Sequence, residues 1–353
     1  MRQDADPLPK HAAPIESIYC VHEALTHQGL DIPLPYLMAV SGEPFRISYN
    51  RNNPEQSIHT VFHNPLRTVC RVMGLKYELH YDAEYKTAWN RLYQNVKEGR
   101  IALIPFDNGH PFFAASSEPD QILGKNGYTK AFSAKELERK WLSIKGFYEL
   151  GLDGYYQFLI EDRDRLPDER ETAYSVFRLA RKLMRIRRKI NGSAMGIEAY
   201  QALSNHIEDS IKQTWEVSET DFRDILKWGQ VPLSQILEGK DVILSYLQSI
   251  QNNFEDRELV LFDEVIAIYQ QMARLLRKLK IKFQFSSQLL ADLTESNEEI
   301  IGLGQSISQR FRQKRFYQSL RACQKLILSV SSLEYTAIEK FGAIIRLREK
   351  LKI

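Results

Sequence analysis

The chain has 353 residues, 43% of them apolar and 11% aromatic, and a formal net charge of +3. That length exceeds what one ordinary core holds and implies two domains, and the composition is that of a folded protein rather than a disordered one. Near-neutral charge argues against a dedicated nucleic-acid binder, and no run approaches the ~20 apolar residues a membrane-spanning helix needs.

The leader MRQDADPLPKHAAP is polar and proline-rich with no apolar h-region, which points away from a secretory signal and toward the cytoplasm. Three cysteines, Cys20, Cys70 and Cys323, are odd in number and widely spaced. Neither a disulfide framework nor a CxxC metal knuckle is expected from them, and the sequence implies no cofactor and no metal.

In chain order, Ser17 to Gln28 reads as a helix with Ser17 as N-cap, Cys20 in the first turn and Gly29 as the stop. A second short helix, LPYLMAV, ends at Ser41-Gly42. The alternation in PFRISY (44–49) predicts a strand. A helix over 64–73 ends at Gly74, and LKYELHY (75–81) is a strand. A helix over 85–98 ends at Gly99, and IALIPF (101–106) reads as a buried strand followed by a strand candidate at 111–115. A turn-rich stretch holds Pro119, Gly124 and Asn126-Gly127, and Ser133 with Glu136 forms a capping box for the helix SAKELERKW.

From Asp168 onward strand signals vanish and helical periodicity dominates. The segments 169–190, 195–208, 219–228, 233–253, 255–282, 284–295 and 298–351, the last with at least one break, share no motif at fixed spacing. An irregular bundle is therefore expected rather than a solenoid. The fold class is α+β, an α/β domain over 1–165 followed by an all-helical domain over 166–353.

A thiol in the first turn of a helix would sit near unpaired N–H groups and the positive end of the macrodipole, which favour thiolate. Cys20 is the nucleophile candidate on that ground; the competing reading is a half-buried cysteine on an apolar face with Ile18 and Ala24. His22, two residues on, points to a different face, and His27, seven on, lies two turns (~10 Å) away, so the base must come from another element. His110, after a buried strand and an Asp-Asn-Gly turn, is the candidate base; His59, His63 and His80 compete. In SGEPFR, Gly42 permits a turn, and Arg46, with Ser41 at the head of the segment, could hold a carboxylate or phosphate of a substrate; the competing reading is a structural arginine on a strand edge, paired with an acid. Arg178 to Lys189 (RLARKLMRIRRK) carries seven basic residues and no acid. It is read either as a solvated face or as a surface that docks an acidic partner through Arg181, Arg185 and Arg188.

The runs YCVHEALTHQGLDIPLPYLMAVSGEPFRISY and GLKYELHYDAEYKTAWNRLYQNVKEGRIALIPFD resemble the N-terminal domain of the butirosin biosynthesis protein H family. They are also similar to the papain-like module of bacteriocin leader peptidases. The shared features are a Cys before Ala-Leu on an early helix, a leucine-rich segment ending Ser-Gly-x-x-Phe-Arg, a Gly-x-x-Tyr strand, and a helix leading to Gly-Arg and a buried strand. GIEAYQALSNHIED (196–209) resembles a segment of the helical domains attached to such modules.

The resemblance implies a papain-like fold in the first half and acyl transfer from an acyl carrier protein to an amine. On that pattern Cys20 is the nucleophile, His110 in His-Pro-Phe-Phe the base, and Asp120 the residue that orients it, with Asn126 as an alternative. The sequence departs from the pattern where papain-like enzymes place a glutamine before the cysteine: here stand Pro14, Ile15, Glu16, Ser17 and Ile18. One missing oxyanion donor raises a barrier by about 3 kcal/mol in enzymes where it has been removed.

Two functions follow. One is cysteine-dependent acyl transfer or amide or thioester cleavage in a biosynthetic pathway, on a substrate held by a carrier protein. The other is a non-catalytic papain-like binding or scaffold protein that docks an acidic protein through its basic helices. Nucleic acid and membrane are not expected as partners; a homo-oligomer stays open.

Overall fold

In the computed structural model of the chain, the described residues are 13–27, 29–54, 64–106, 110–118, 121–125, 129–141, 154–160, 168–190, 192–213, 215–299 and 305–351. They form α1 (Ala13–His27), α2 (Leu34–Ser41), β1 (Ser48–Tyr49), α3 (Pro65–Met73), β2 (Tyr77–Asp82), α4 (Tyr85–Lys97) and β3 (Ile101–Phe106). Then come β4 (His110–Glu118), β5 (Gln121–Lys125), β6 (Thr129–Ser133), α5 (Ala134–Lys140), β7 (Tyr155–Ile160), α6 (Glu169–Met184) and β8 (Ala194–Met195). The helices α7 (Ile197–Lys212), α8 (Trp215–Trp228), α9 (Val231–Ile250), α10 (Asp256–Glu299) and α11 (Gln305–Leu351) follow. The fold is α+β with a helical C-terminal part.

Two compact units divide the chain: Met1–Glu43 with His63–Ser175, and Pro44–Phe62 with Val176–Ile353. The segment from Pro44 groups with the helical unit, because Ser48 and Tyr49 pair with Met195 and Ala194 and the Pro44 carbonyl accepts from Lys240 Nζ at 3.5 Å. The other division falls within α6, whose residues 169–184 form one helix.

The first unit is built on a six-stranded antiparallel sheet of order β2-β7-β3-β4-β5-β6. Ala102 and Ile104 of β3 pack with Ala88, Leu92 and Val96 of α4 and with Phe132, Leu137 and Leu159. By the pleat, Ile101 and Leu103 point to the other face, and they are just as buried, so β3 is covered on both sides. The helix α1 packs against β4 and β3. A buried polar chain ties α4 to β7: Asn95 Nδ2 donates to Gln157 Oε1 at 3.2 Å, and Gln157 Nε2 donates to the Ala88 carbonyl at 2.8 Å. Its donors and acceptors satisfy one another, as burial requires.

Among its described residues the second unit is helical apart from the short β1–β8 ribbon. Its spine is an antiparallel hairpin of α10 and α11, 44 and 47 residues long; at 1.5 Å per residue each spans about 65–70 Å. Pairs from Tyr269–Glu334 to Ser286–Ser319 mark its register. In the core, Lys240 Nζ of α9 lies 2.7 Å from Glu334 Oε2 of α11, with both side chains 0% exposed. Tyr269 Oη donates to Glu334 Oε1 at 3.3 Å, and the Lys240 ammonium sits 5.8 Å from the Tyr269 ring centroid. Burial first, and then the Glu334 charge, hold the Tyr200 and Tyr269 phenols well above their ordinary value near 10.

Among the described residues no helix is long and apolar enough to cross a membrane.

Breaking a buried pair by removing one partner leaves an uncompensated charge, whereas replacing both with apolar groups of similar volume is often neutral. Lys240→Met is therefore expected to lower stability by about 3–5 kcal/mol in urea unfolding followed by circular dichroism. Lys240→Met with Glu334→Leu should return to within about 1 kcal/mol of the parent. A double variant no more stable than the single one would show that the pair does not act as a unit.

Candidate functional site

The thiol is not where the sequence implies. Helix α1 begins at Ala13, so Cys20 is the eighth of its 15 residues rather than a first-turn residue. The reason is Pro14: in the first turn of a helix its missing N–H is one that would have no partner anyway, so the proline starts the helix instead of preceding it. At mid-helix the Cys20 N–H is already engaged within the ladder, and the macrodipole's end effect has faded. The side chain is 1% exposed, and burial, followed by the charge of Glu23, pushes the thiol up to about 12. Burial likewise pushes Cys70 and Cys323 up to about 12.

His110 opens β4 and stands opposite Phe106 of β3 in the ladder. Because α1 packs against β4, the elements that carry Cys20 and His110 are neighbours. Asp120 and Asn126 lie outside the described residues, as do His59 and His63. His80, in β2, has Nε2 2.9 Å from Glu78 Oε2 and Nδ1 3.1 Å from Arg91 Nη1. Ser41 is fully buried; its hydroxyl donates to the Met38 carbonyl at 2.6 Å and accepts from the Glu43 N–H at 3.1 Å, which finishes α2. Arg46, half-buried and already engaged in a polar contact, belongs to the other unit.

The three arginines proposed for a partner behave differently. Arg181 packs on α11: a Cβ on Gly342 would stand 2.8 Å from its guanidinium carbon, and its Nε is buried. Arg185 forms an ion pair with Glu339. Arg188 is exposed, as are its neighbours Arg187 and Lys189. Beside them the end of α6, the start of α7 and α11 enclose an open pocket of about 400 Å³. Met184, Ile186 and Ile197 give it an apolar floor, Tyr335 stands at its edge with 55% of its surface exposed, and Arg187 and Glu198 add opposite charges.

A second constellation has no counterpart in the sequence reading. The ribbon β1 carries Tyr49 into the helical unit, where its hydroxyl lies 2.5 Å from His206 Nδ1 on α7. His206 Nε2 is 3.3 Å from Asp221 Oδ2 on α8, too poorly aligned for a hydrogen bond. At the surface Arg51 donates to Asp209 Oδ2 at 3.0 Å and lies 3.7 Å from Asp221 Oδ2. Burial, with Arg51 next, lowers the His206 pKa, while Asp221 and Asp209 oppose the shift. Burial raises the Tyr49 phenol, so the hydroxyl is the donor, Nδ1 the acceptor, and Nε2–H faces Asp221. His206 is 1% exposed, so this arrangement is a clamp between β1, α7 and α8 rather than an open catalytic group. Both ends lie in quoted motifs, FRISY and GIEAYQALSNHIED; nothing in the sequence says that they meet.

Among the described residues no group of His, Cys, Asp and Glu could hold a metal ion. In comparisons with known proteins, no family model matches the chain and no curated protein does.

A histidine whose folded pKa lies below its unfolded value of about 6.5 takes up its extra proton on unfolding. Its contribution to stability is full above that value and is lost as pH falls toward the folded pKa. Wild type is expected to lose stability as pH falls below about 6.5 more steeply than His206→Gln, by at most about 1.4 kcal/mol per pH unit. Denaturant melts of both proteins across that range check it; parallel pH profiles would refute the neutral clamp.

Proposed function

We propose that this protein is a binding or scaffold protein: a papain-like α/β module without cysteine chemistry, joined to a helical unit that docks an acidic partner protein. The observation that carries the reading is the Cys20 thiol, at mid-helix, sealed, and pushed up to about 12. At pH 7 such a group is ionised in roughly one molecule in 10⁵, against a few per cent for an ordinary cysteine. The absent glutamine before Cys20 removes an oxyanion donor as well. In the helical unit Arg187, Arg188 and Lys189 are exposed and consecutive. Rim charges of this kind steer an oppositely charged protein and accelerate its encounter. An acyl carrier protein, strongly acidic, fits that description, and cytoplasmic residence suits such a partner.

The packing of α1 on β4 favours a second reading, cysteine-dependent acyl transfer with Cys20 as nucleophile and His110 as base. It requires α1 to move so that the sulfur meets solvent.

One experiment separates the two. On the binding reading, intact-mass spectrometry after incubation with acyl-carrier thioesters shows no acyl adduct on wild type or on Cys20→Ser. Iodoacetamide near pH 6.5 then labels Cys20 only after denaturation. An adduct on wild type that Cys20→Ser lacks would establish the acyltransferase instead.

A further inference from the structure

We infer that the pocket bounded by α6, α7 and α11 receives an apolar side chain, aromatic by preference, from an acidic segment of the partner protein. This inference rests on the acidic-partner reading and adds the place and the chemistry. The volume, about 400 Å³, falls in the range of ligand pockets, roughly 300–1,000 Å³. Met184, Ile186 and Ile197 supply an apolar floor, and the exposed Tyr335 ring supplies a flat wall on which a second aromatic ring can stack. Interface anchors are side chains of this kind seated in pockets and ringed by polar contacts.

The charges select the rest of the occupant. Within the pocket the Arg185–Glu339 pair is self-neutralised, and Arg187 and Glu198, both in the lining, carry opposite charges. The excess lies just beyond the lining, where Arg188 and Lys189, next in the chain after Arg187, are exposed. An apolar anchor thus meets a balanced pocket, and carboxylates flanking it meet the cationic rim. A single-stranded nucleic acid, also anionic and able to stack, fits less well: its closely spaced phosphates would have to pass Glu198 and Glu339. A peptide can space its carboxylates and offer backbone N–H donors to those two acids.

The test uses the full-length chain and two fluorescent peptides, a phenylalanine flanked by glutamates and the same peptide with alanine in its place. Fluorescence anisotropy at low salt is expected to show the phenylalanine peptide binding at least about tenfold more tightly, a difference of about 1.4 kcal/mol. Tyr335→Ala, an exposed position that leaves the core untouched, should remove most of that advantage. Arg187→Glu with Arg188→Glu should weaken both peptides. Equal binding of the two peptides, or a phenylalanine advantage that survives Tyr335→Ala, overturns the pocket while leaving acidic docking in place. Charge reversal without effect, or no binding of either peptide, overturns the acidic-partner reading itself. A single-stranded oligonucleotide that displaces the phenylalanine peptide more effectively than excess unlabelled peptide would reassign the pocket to nucleic acid.

Discussion

Lys240 and Glu334 meet in the middle of the helical unit with no exposed surface on either side chain. Stripping water from two charges costs several kcal/mol per ion, and only close opposite charge with further hydrogen bonds offsets it. The 2.7 Å contact, the Tyr269 hydroxyl and the Pro44 carbonyl supply those partners. A slip of α9 along the α10–α11 hairpin would separate the charges, so the pair makes one register far cheaper than its neighbours. Through the Pro44 carbonyl the same ammonium also holds the segment that leads into β1. The positions of Tyr49 and of its histidine partner depend on that anchor.

Each unit uses buried polar groups to fix its packing. In the first, Gln157 links a helix to a strand; in the second, His206 is held neutral between a phenol and a carboxylate. All three cysteines are buried and carry their protons, for the same reason: burial disfavours the charged form. At the end of α6 arginines are exposed, and on α11 the Tyr335 ring is left partly in water.

Much of this is written in local chemistry. Asn64 accepts from the Arg67 N–H and Ser133 forms its box with Glu136, so two helix starts follow from side chains that cap; Gly42 and Gly74, at φ +82° and +61°, mark two stops. The all-apolar β3 was legible because a strand covered on both faces loses its alternation. Other elements depend on partners far away in sequence. Gly124 reads as a turn, yet it sits inside β5 opposite Ala114 and Lys130. In PFRISY only Ser48 and Tyr49 find a strand to pair with, while Glu43 to Phe45 coil into a 3₁₀ turn. The apparent break near residue 283 vanishes because Phe283 is buried in a continuous α10. The candidate site divides the same way: the exposed arginines were legible as composition, whereas the depth of Cys20 and the meeting of Tyr49 with His206 are properties of the assembled fold.

The detour from Pro44 to Phe62 has a consequence for how the molecule can be made or cut. The helical unit borrows a stretch that is synthesised well before the rest of it, so Tyr49 must wait through more than a hundred intervening residues for its imidazole. Neither unit is a contiguous cassette. A gene fragment beginning at the apparent junction near residue 166 would encode a bundle stripped of its ribbon, with the Lys240 ammonium lacking one of its acceptors and a vacancy beside His206. Recombination that respects this architecture has to move both pieces together.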